Sequence, residues 1–295
     1  MEQTPHISAA TREKYQRLKA ILTKLGRVLV AFSGGVDSSL LLKAALESLG
    51  DDVLAVTALS ATTPAQEKKD AAEFARSLGV RHLTLETQEM ENPAFTSNPA
   101  DKCYLCKQHR FGELVRLAAR EGIGWVLDGE NLDDDADYRP GNRAARELGV
   151  RSPLRESGLN KQEIRQISRE LGLVTWNKPA YACLASRIPY GQPITAAKLR
   201  QVDAAETFIR ELGIARQVRI RHEGSTARIE VEPQAIPRLV QPEPRRRITA
   251  RLTALGFKFV ALDLEGYRTG SLNETLEAQA PARSPVAPGP KNILK

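Results

Sequence analysis

Cysteine, aromatic residues and long apolar runs are all scarce in this chain, and each shortage removes a class of protein. With three cysteines among 295 residues, a disulfide-stapled framework is excluded. Aromatics make up only 5% and form no basic, aromatic-interleaved stripe on which single strands could stack, so nucleic acid is not the expected partner. No stretch has the uninterrupted apolar length needed to span a bilayer, and the N-terminus lacks a charged-then-apolar secretory layout. A cytoplasmic chain without a membrane partner is therefore expected. Two familiar nucleotide motifs are missing as well: no Gly-Lys-Ser/Thr follows a glycine-rich turn, and the dinucleotide-binding glycine spacing does not occur.

What is present is enough apolar content, 41%, for a full core and, at this length, for two domains. The net charge of +7 sits in the second half: residues 1–150 hold 19 Lys/Arg against 22 Asp/Glu, and residues 151–295 hold 24 against 14. An anionic substrate, a phosphate subsite, RNA or a solvated basic face would each account for that excess.

Residues 28–39, VLVAFSGGVDSS, join a buried-type strand to a helix through a turn built for an anion. Gly34 and Gly35 let the backbone approach closely, Ser33, Ser38 and Ser39 add hydroxyl donors, and the helix N-terminus adds its dipole. Asp37 suits magnesium as a hard oxygen ligand, or else caps the helix. Strand-like runs at 28–32, 53–57, 82–85 and 125–128 alternate with helical patterns at 39–49, 66–78 and 110–121, which predicts an α/β fold with a doubly wound parallel sheet. Ligands lie beyond the carboxyl ends of such strands, so residues 33–39, 58–60 (beginning with Ala58) and 129–135 should converge on one crevice.

A further amphipathic helix is expected at 157–171 and a connecting loop at 178–192. Beyond it the patterns give a helix at 195–212, a hairpin of 217–221 with 226–232, a helix at 245–255 and a strand at 257–263, a smaller α+β domain. The expected division is 1–180 for ATP, 181–193 for the connecting loop, 194–275 for substrate or oligomer contacts, and a disordered Pro/Ala/Arg-rich tail at 276–295.

Cys103 and Cys106 form a Cys-x-x-Cys in DKCYLCK, and Cys183 stands in KPAYACLASRIPYG. The pair alone fits a redox couple, half a zinc site with His109 as the nearest further ligand, or two legs of an iron–sulfur cluster. Cys183 alone fits a buried small residue equally well. In DGENLDDD, Gly129 allows close approach of the nucleotide, and Asp133 and Asp135 are candidates for magnesium, because neighbouring carboxylates repel unless a cation intervenes. Arg187, Arg219 and Arg221 are the choices for an anionic substrate, with Arg219 and Arg221 alternating onto one strand face.

The SGGVDS string resembles the pyrophosphate loop of the ATP pyrophosphatase superfamily, whose members cleave ATP to AMP and pyrophosphate. Together with DKCYLCK, the acidic loop and KPAYACLASRIPYG, it makes residues 15–272 resemble the LarE type of sulfurtransferase. The resemblance implies conversion of a pyridinium 3,5-biscarboxylic acid mononucleotide to its thiocarboxylate, toward the nickel-pincer cofactor of lactate racemase. It also implies a four-iron, four-sulfur cluster on Cys103, Cys106 and Cys183, fed by a sulfide donor, and a homo-oligomer. Members lacking the pair give up the sulfur of the cysteine matching Cys183. An iron–sulfur tRNA thiolase, an ammonia-using ligase of the NAD synthase kind and a non-catalytic nucleotide- or RNA-binding module are the competing readings. Val36 stands where the thiolases typically carry lysine.

Overall fold

The computed structural model describes residues 7–135, 140–179 and 182–268, and the expected tail at 276–295 lies outside them. Its first sheet follows from the apolar strands β1 (Val28–Ala31), β2 (Val53–Leu59), β3 (Arg81–Glu86) and β4 (Trp125–Leu127), all parallel, in the order β3-β2-β1-β4. Side chains alternate across it: Val28, Val30, Val53 and Ala55 enter one apolar cluster, and Leu29, Leu54 and Val56 enter another on the opposite face. Neither face could remain in water, so the parallel strands are covered on both sides.

One face is covered by α1 (Ala9–Leu25), α2 (Val36–Leu49) and α3 (Ala65–Ser77). The one-turn α4 (Pro93–Thr96) precedes α5 (Lys102–Arg120), which covers the other face with α6 (Pro140–Glu147). The one-turn α7 (Pro153–Glu156) and α8 (Lys161–Glu170) return to the first face. The chain thus winds outward from β1 to β3 and then crosses back to place β4 beside β1. The switch of winding direction falls between β1 and β4, where a ligand crevice is expected.

Two departures from the periodicity reading have simple causes. α1 was not anticipated, although Tyr15, Leu18 and Leu22 share its buried stripe and Ser8 caps it by accepting from Thr11 N. α5 starts eight residues before the expected 110, because its first turns carry Lys, Cys, Tyr and Gln in place of an apolar stripe.

A separate apolar core, that of the second sheet, is built on α9 (Ala196–Glu211), the antiparallel β5 (Val218–Glu223) and β6 (Thr226–Val231), the one-turn α10 (Ile236–Leu239), α11 (Pro242–Ala254) and β7 (Phe259–Leu262). β7 pairs with β6 in parallel, Thr226 opposite Phe259, because α11 carries the chain back across. The stretch read as a connecting loop is part of this core: Leu184, Ala185 and Ile188 are buried in it, together with Phe95 from the first half. Among the described residues, no helix is long and apolar enough to cross a membrane.

Candidate active site

A cavity of about 750 Å³ opens at the switch point. Its walls are the β1–α2 turn, the ends of β2 and β4, the first turn of α3, one side of α5, and the segment reaching Cys183. Of the residues expected to bind nucleotide, Ser33, Gly35, Asp37, Ser38, Ala58 and Gly129 line it.

The turn after β1 is locked by its own serines. Ser33 Oγ lies 3.0 Å from Ser38 Oγ, Ser33 N donates to Ser38 Oγ at 3.3 Å, and Ser38 Oγ donates to Gly35 O at 3.2 Å. Gly34 has φ +71 and packs against α3, a backbone that glycine adopts without penalty. Ser39 is fully buried and its Oγ has no partner. Lys178 reaches over the turn, donating to Gly34 O at 3.0 Å and pairing with Asp70 at 2.8 Å. Sequence reading did not single out this lysine, since a residue 144 positions from its partner leaves no local pattern.

Asp37 projects from the first turn of α2 onto Lys161 Nζ, and its other oxygen accepts from Asn131 Nδ2 at 3.4 Å. Asp133, the second expected magnesium residue, lines the same wall and accepts from Lys161 N at 2.9 Å. The Asp135 side chain lies outside the described residues. Asp128, at the end of β4, accepts from Ser152 Oγ at 2.7 Å through one oxygen, while Oδ2 is buried with no partner. Burial, with Glu130 beside it, pushes the Asp128 carboxyl up to about 6. Asp37, Asp133 and Asp128 each offer carboxylate oxygen, the donor type of a hard divalent cation, and among the described residues no three such groups are set around a single ion.

Across the cavity, Arg110 Nη2 donates to Ser60 Oγ at 2.7 Å, Thr62 Oγ1 at 3.0 Å and Glu89 Oε1 at 2.7 Å. The same Glu89 oxygen faces Cys106 Sγ at 3.9 Å. Burial pushes the Cys106 thiol up to about 12 in spite of Arg110, so this sulfur stays protonated until a ligand replaces its proton. Cys103 and Cys106 lie one turn apart at the start of α5 and Cys183 lines the cavity; Cys103 and Cys183 are exposed, and no disulfide joins the three. The three sulfurs are near enough that a thiolate at Cys103 or Cys183 would raise the Cys106 thiol further, and Arg110 and Lys102 are the nearby cations. His109 instead accepts from Gln88 N at 3.3 Å. Among the described residues, no three His, Cys, Asp or Glu groups are set around a single metal ion. A zinc site on the pair with His109 is therefore not formed, and the three thiols are likewise not gathered around one ion; they stand beside two cations, Arg110 and Lys102.

The three arginines expected to face substrate are buried together behind Cys183 and do not line the cavity. Arg187 forms a bidentate pair with Glu206 at 2.7 and 3.1 Å and donates to Ala182 O and Cys183 O. Arg221 pairs with Glu230 at 2.9 and 2.6 Å and donates to Ser186 O. Arg219 donates to Val218 O and lies over the Tyr267 ring at 5.1 Å. Arg187 and Arg221 thus hold the backbone on either side of Leu184, which fixes where Cys183 points.

Residues 12–108 match a family described as NAD synthase. The chain is 45% identical, over 89% of its length and 98% of the relative's, to an uncharacterised protein of Synechocystis sp.. It is 39% identical, over 91% of its length and 96% of the relative's, to the pyridinium-3,5-bisthiocarboxylic acid mononucleotide synthase of Lactiplantibacillus plantarum. A tRNA-cytidine(32) 2-sulfurtransferase of Dinoroseobacter shibae is 35% identical over 37% of this chain and 39% of its own.

Proposed function

The chain belongs to the family of the pyridinium-3,5-bisthiocarboxylic acid mononucleotide synthases, and from that premise we propose that it is an ATP-dependent sulfurtransferase acting on a carboxylate of a pyridinium-3,5-biscarboxylic acid mononucleotide, toward a nickel-pincer cofactor. The observation that carries this reading is a shared wall: the anion-binding turn and Cys183 line the same cavity.

A carboxylate is a poor electrophile, so sulfur transfer needs it activated first. Attack of its oxygen on the α-phosphorus of ATP releases pyrophosphate and leaves AMP on the acyl carbon as a good leaving group. Ser33, Gly35 and Ser38, which line the cavity, would receive the pyrophosphate through hydroxyls, backbone N–H groups and the α2 dipole, with Gly34 shaping the turn and Ser39 buried behind it. Asp37 and Asp133 would hold magnesium, which neutralises charge on the phosphates. Lys178 and Lys161, already against the turn and Asp37, would follow the phosphates as fixed cations. Gly129, whose added Cβ would come 3.1 Å from Ser38 N, keeps the β4 side close to α2.

Sulfur then displaces AMP from the acyl carbon, with Cys183 oriented by the Arg187 contacts to its own carbonyl. Cys103, Cys106 and Cys183 would hold a four-iron, four-sulfur cluster, which when bound supplies sulfide from outside the chain and so permits repeated turnover. An external sulfide donor and a homo-oligomer complete the proposal.

The test is pyrophosphate release by anaerobically reconstituted protein with ATP. Stimulation by the biscarboxylate mononucleotide, with thiocarboxylate found in the product, is the expected result. Stimulation by bulk tRNA alone would move the chain to RNA modification.

A further inference from the structure

Asn98 is the one residue other than glycine with a positive φ among the described residues, at 61°, and it is fully buried. Such a backbone is strained for a side-chain-bearing residue and persists only where its surroundings over-determine it. Here they do. Asn98 Nδ2 donates to Ile188 O at 3.2 Å, Pro189 O at 2.7 Å and Gln192 O at 3.0 Å, so two hydrogens are shared among three carbonyls. Its own carbonyl accepts from Gly191 N at 3.0 Å, and its N donates to Phe95 O at 3.0 Å. Its Oδ1 accepts from Lys102 Nζ at 2.6 Å.

These contacts run in two directions. The carbonyls belong to the stretch that continues directly from the Cys183 turn, Leu184–Arg187. Lys102 opens α5 and precedes Cys103; it is 3% exposed, and its ammonium lies 3.9 Å from the centre of the Tyr190 ring, again on the Cys183 side. One short amide therefore joins the helix with two cysteines to the segment with the third. The acceptor of Lys102, Asn98 Oδ1, is a neutral amide oxygen.

We propose that Asn98, with Lys102 as its partner, is a positioning residue that sets the separation of Cys183 from Cys103 and Cys106. The proposal rests on the three-cysteine site of the function proposed above, and its test needs neither ATP nor substrate. In the full-length, cluster-free protein, cross-linking by dibromobimane is followed by peptide mass spectrometry under anaerobic conditions. Asn98→Gly keeps the left-handed backbone and removes the side chain, and Asn98→Asp keeps an acceptor for Lys102 but removes the donor to the loop carbonyls.

Either variant is expected to slow cross-linking of Cys183 to the α5 pair by about tenfold, the usual scale for losing a group that orients a ligand. Cross-linking of Cys103 to Cys106, one helical turn apart, stays unchanged and reports an intact α5. If Asn98→Gly does not fold, Asn98→Asp decides, since it retains the Lys102 contact. Wild-type cross-linking of Cys183 in a folded variant would overturn the proposal. As an independent readout, Lys102→Met, which breaks the contact between Asn98 and α5, should also slow cross-linking of Cys183 by about tenfold and lower iron bound per chain on reconstitution by about tenfold; wild-type cross-linking in this variant would remove Lys102 from the proposal. A chain that proved to act on a different substrate would leave all of these results in place.

Discussion

At position 34 the backbone must be left-handed, φ +71, and a Cβ there would meet the Cα and Cβ of Ala71 at 3.1 Å. Both demands act against any side chain, so Gly34→Ala should destabilise by about 1 kcal/mol or more and weaken ATP binding, read by thermal melting and calorimetric titration. Equal melting and affinity would mean that the turn is not held against α3. Glu67, on the first turn of α3, shows a different residue-level effect. Burial pushes its carboxyl up to about 7 from 4.5, although Lys178, Arg187 and Arg219 pull it down and Asp70 pushes with burial. The folded protein then holds a proton that the unfolded chain has released, so this contribution to stability is full below pH 4.5 and is lost as the pH rises through about 7. Glu67→Gln should flatten the fall of the melting temperature across that window; an unchanged slope would assign it to another group. Gly34 and Asp37 were legible in the sequence because strand, glycines, serines and helix are consecutive. Lys161, Lys178 and Arg110 were not, because each meets the site from a distant element.

Whole elements show the same split between local and long-range information. The four parallel strands were recoverable since buried strands are continuous apolar runs, and the ends of β1 and β4 did converge as expected. The first turns of α5 lie outside the helical pattern of 110–121 because Lys102 and Cys106 satisfy neighbours across the site rather than an apolar stripe. Arg219 and Arg221 were placed on one face of a strand from their alternation, but no pattern in the sequence reveals Glu206 and Glu230 as the carboxylates beside this arginine cluster. The partner matters energetically. Arg187→Ala would leave Glu206 buried with Arg210 at 3.2 Å and Ile220 N at 3.0 Å as its contacts, and losing one member of a buried pair costs about 3–5 kcal/mol. Urea unfolding should show that loss, and Arg187→Met combined with Glu206→Gln should recover part of it. A variant with wild-type stability but a raised substrate KM would instead make Arg187 a binding residue.

Over the whole molecule, the serine–glycine turn and Cys183 line one cavity but rest on different apolar cores, that of the first sheet and that of the second. The pyrophosphate turn rests on the first, through Phe32, Val36 and Leu40. Cys183 is carried by the second, through Leu184, Ala185 and Ile188, with Arg187–Glu206 fastening it to α9. Buried charges of the second half are paired: Arg187 and Arg210 with Glu206, and Arg221 and Arg228 with Glu230. Weakening one core should therefore separate nucleotide binding from sulfur delivery. Leu252 is fully buried in the second core, and Leu252→Ala should cost about 2–5 kcal/mol. If the cores open independently, hydrogen exchange will accelerate in α9 and β5 while β1 and β2 keep their protection. ATP affinity would then stay at the wild-type value while thiocarboxylate formation falls, and Leu40→Ala in the first core should invert the pattern. Uniform acceleration through both sheets would show a single cooperative unit, in which the position of Cys183 and the shape of the pyrophosphate turn cannot vary separately.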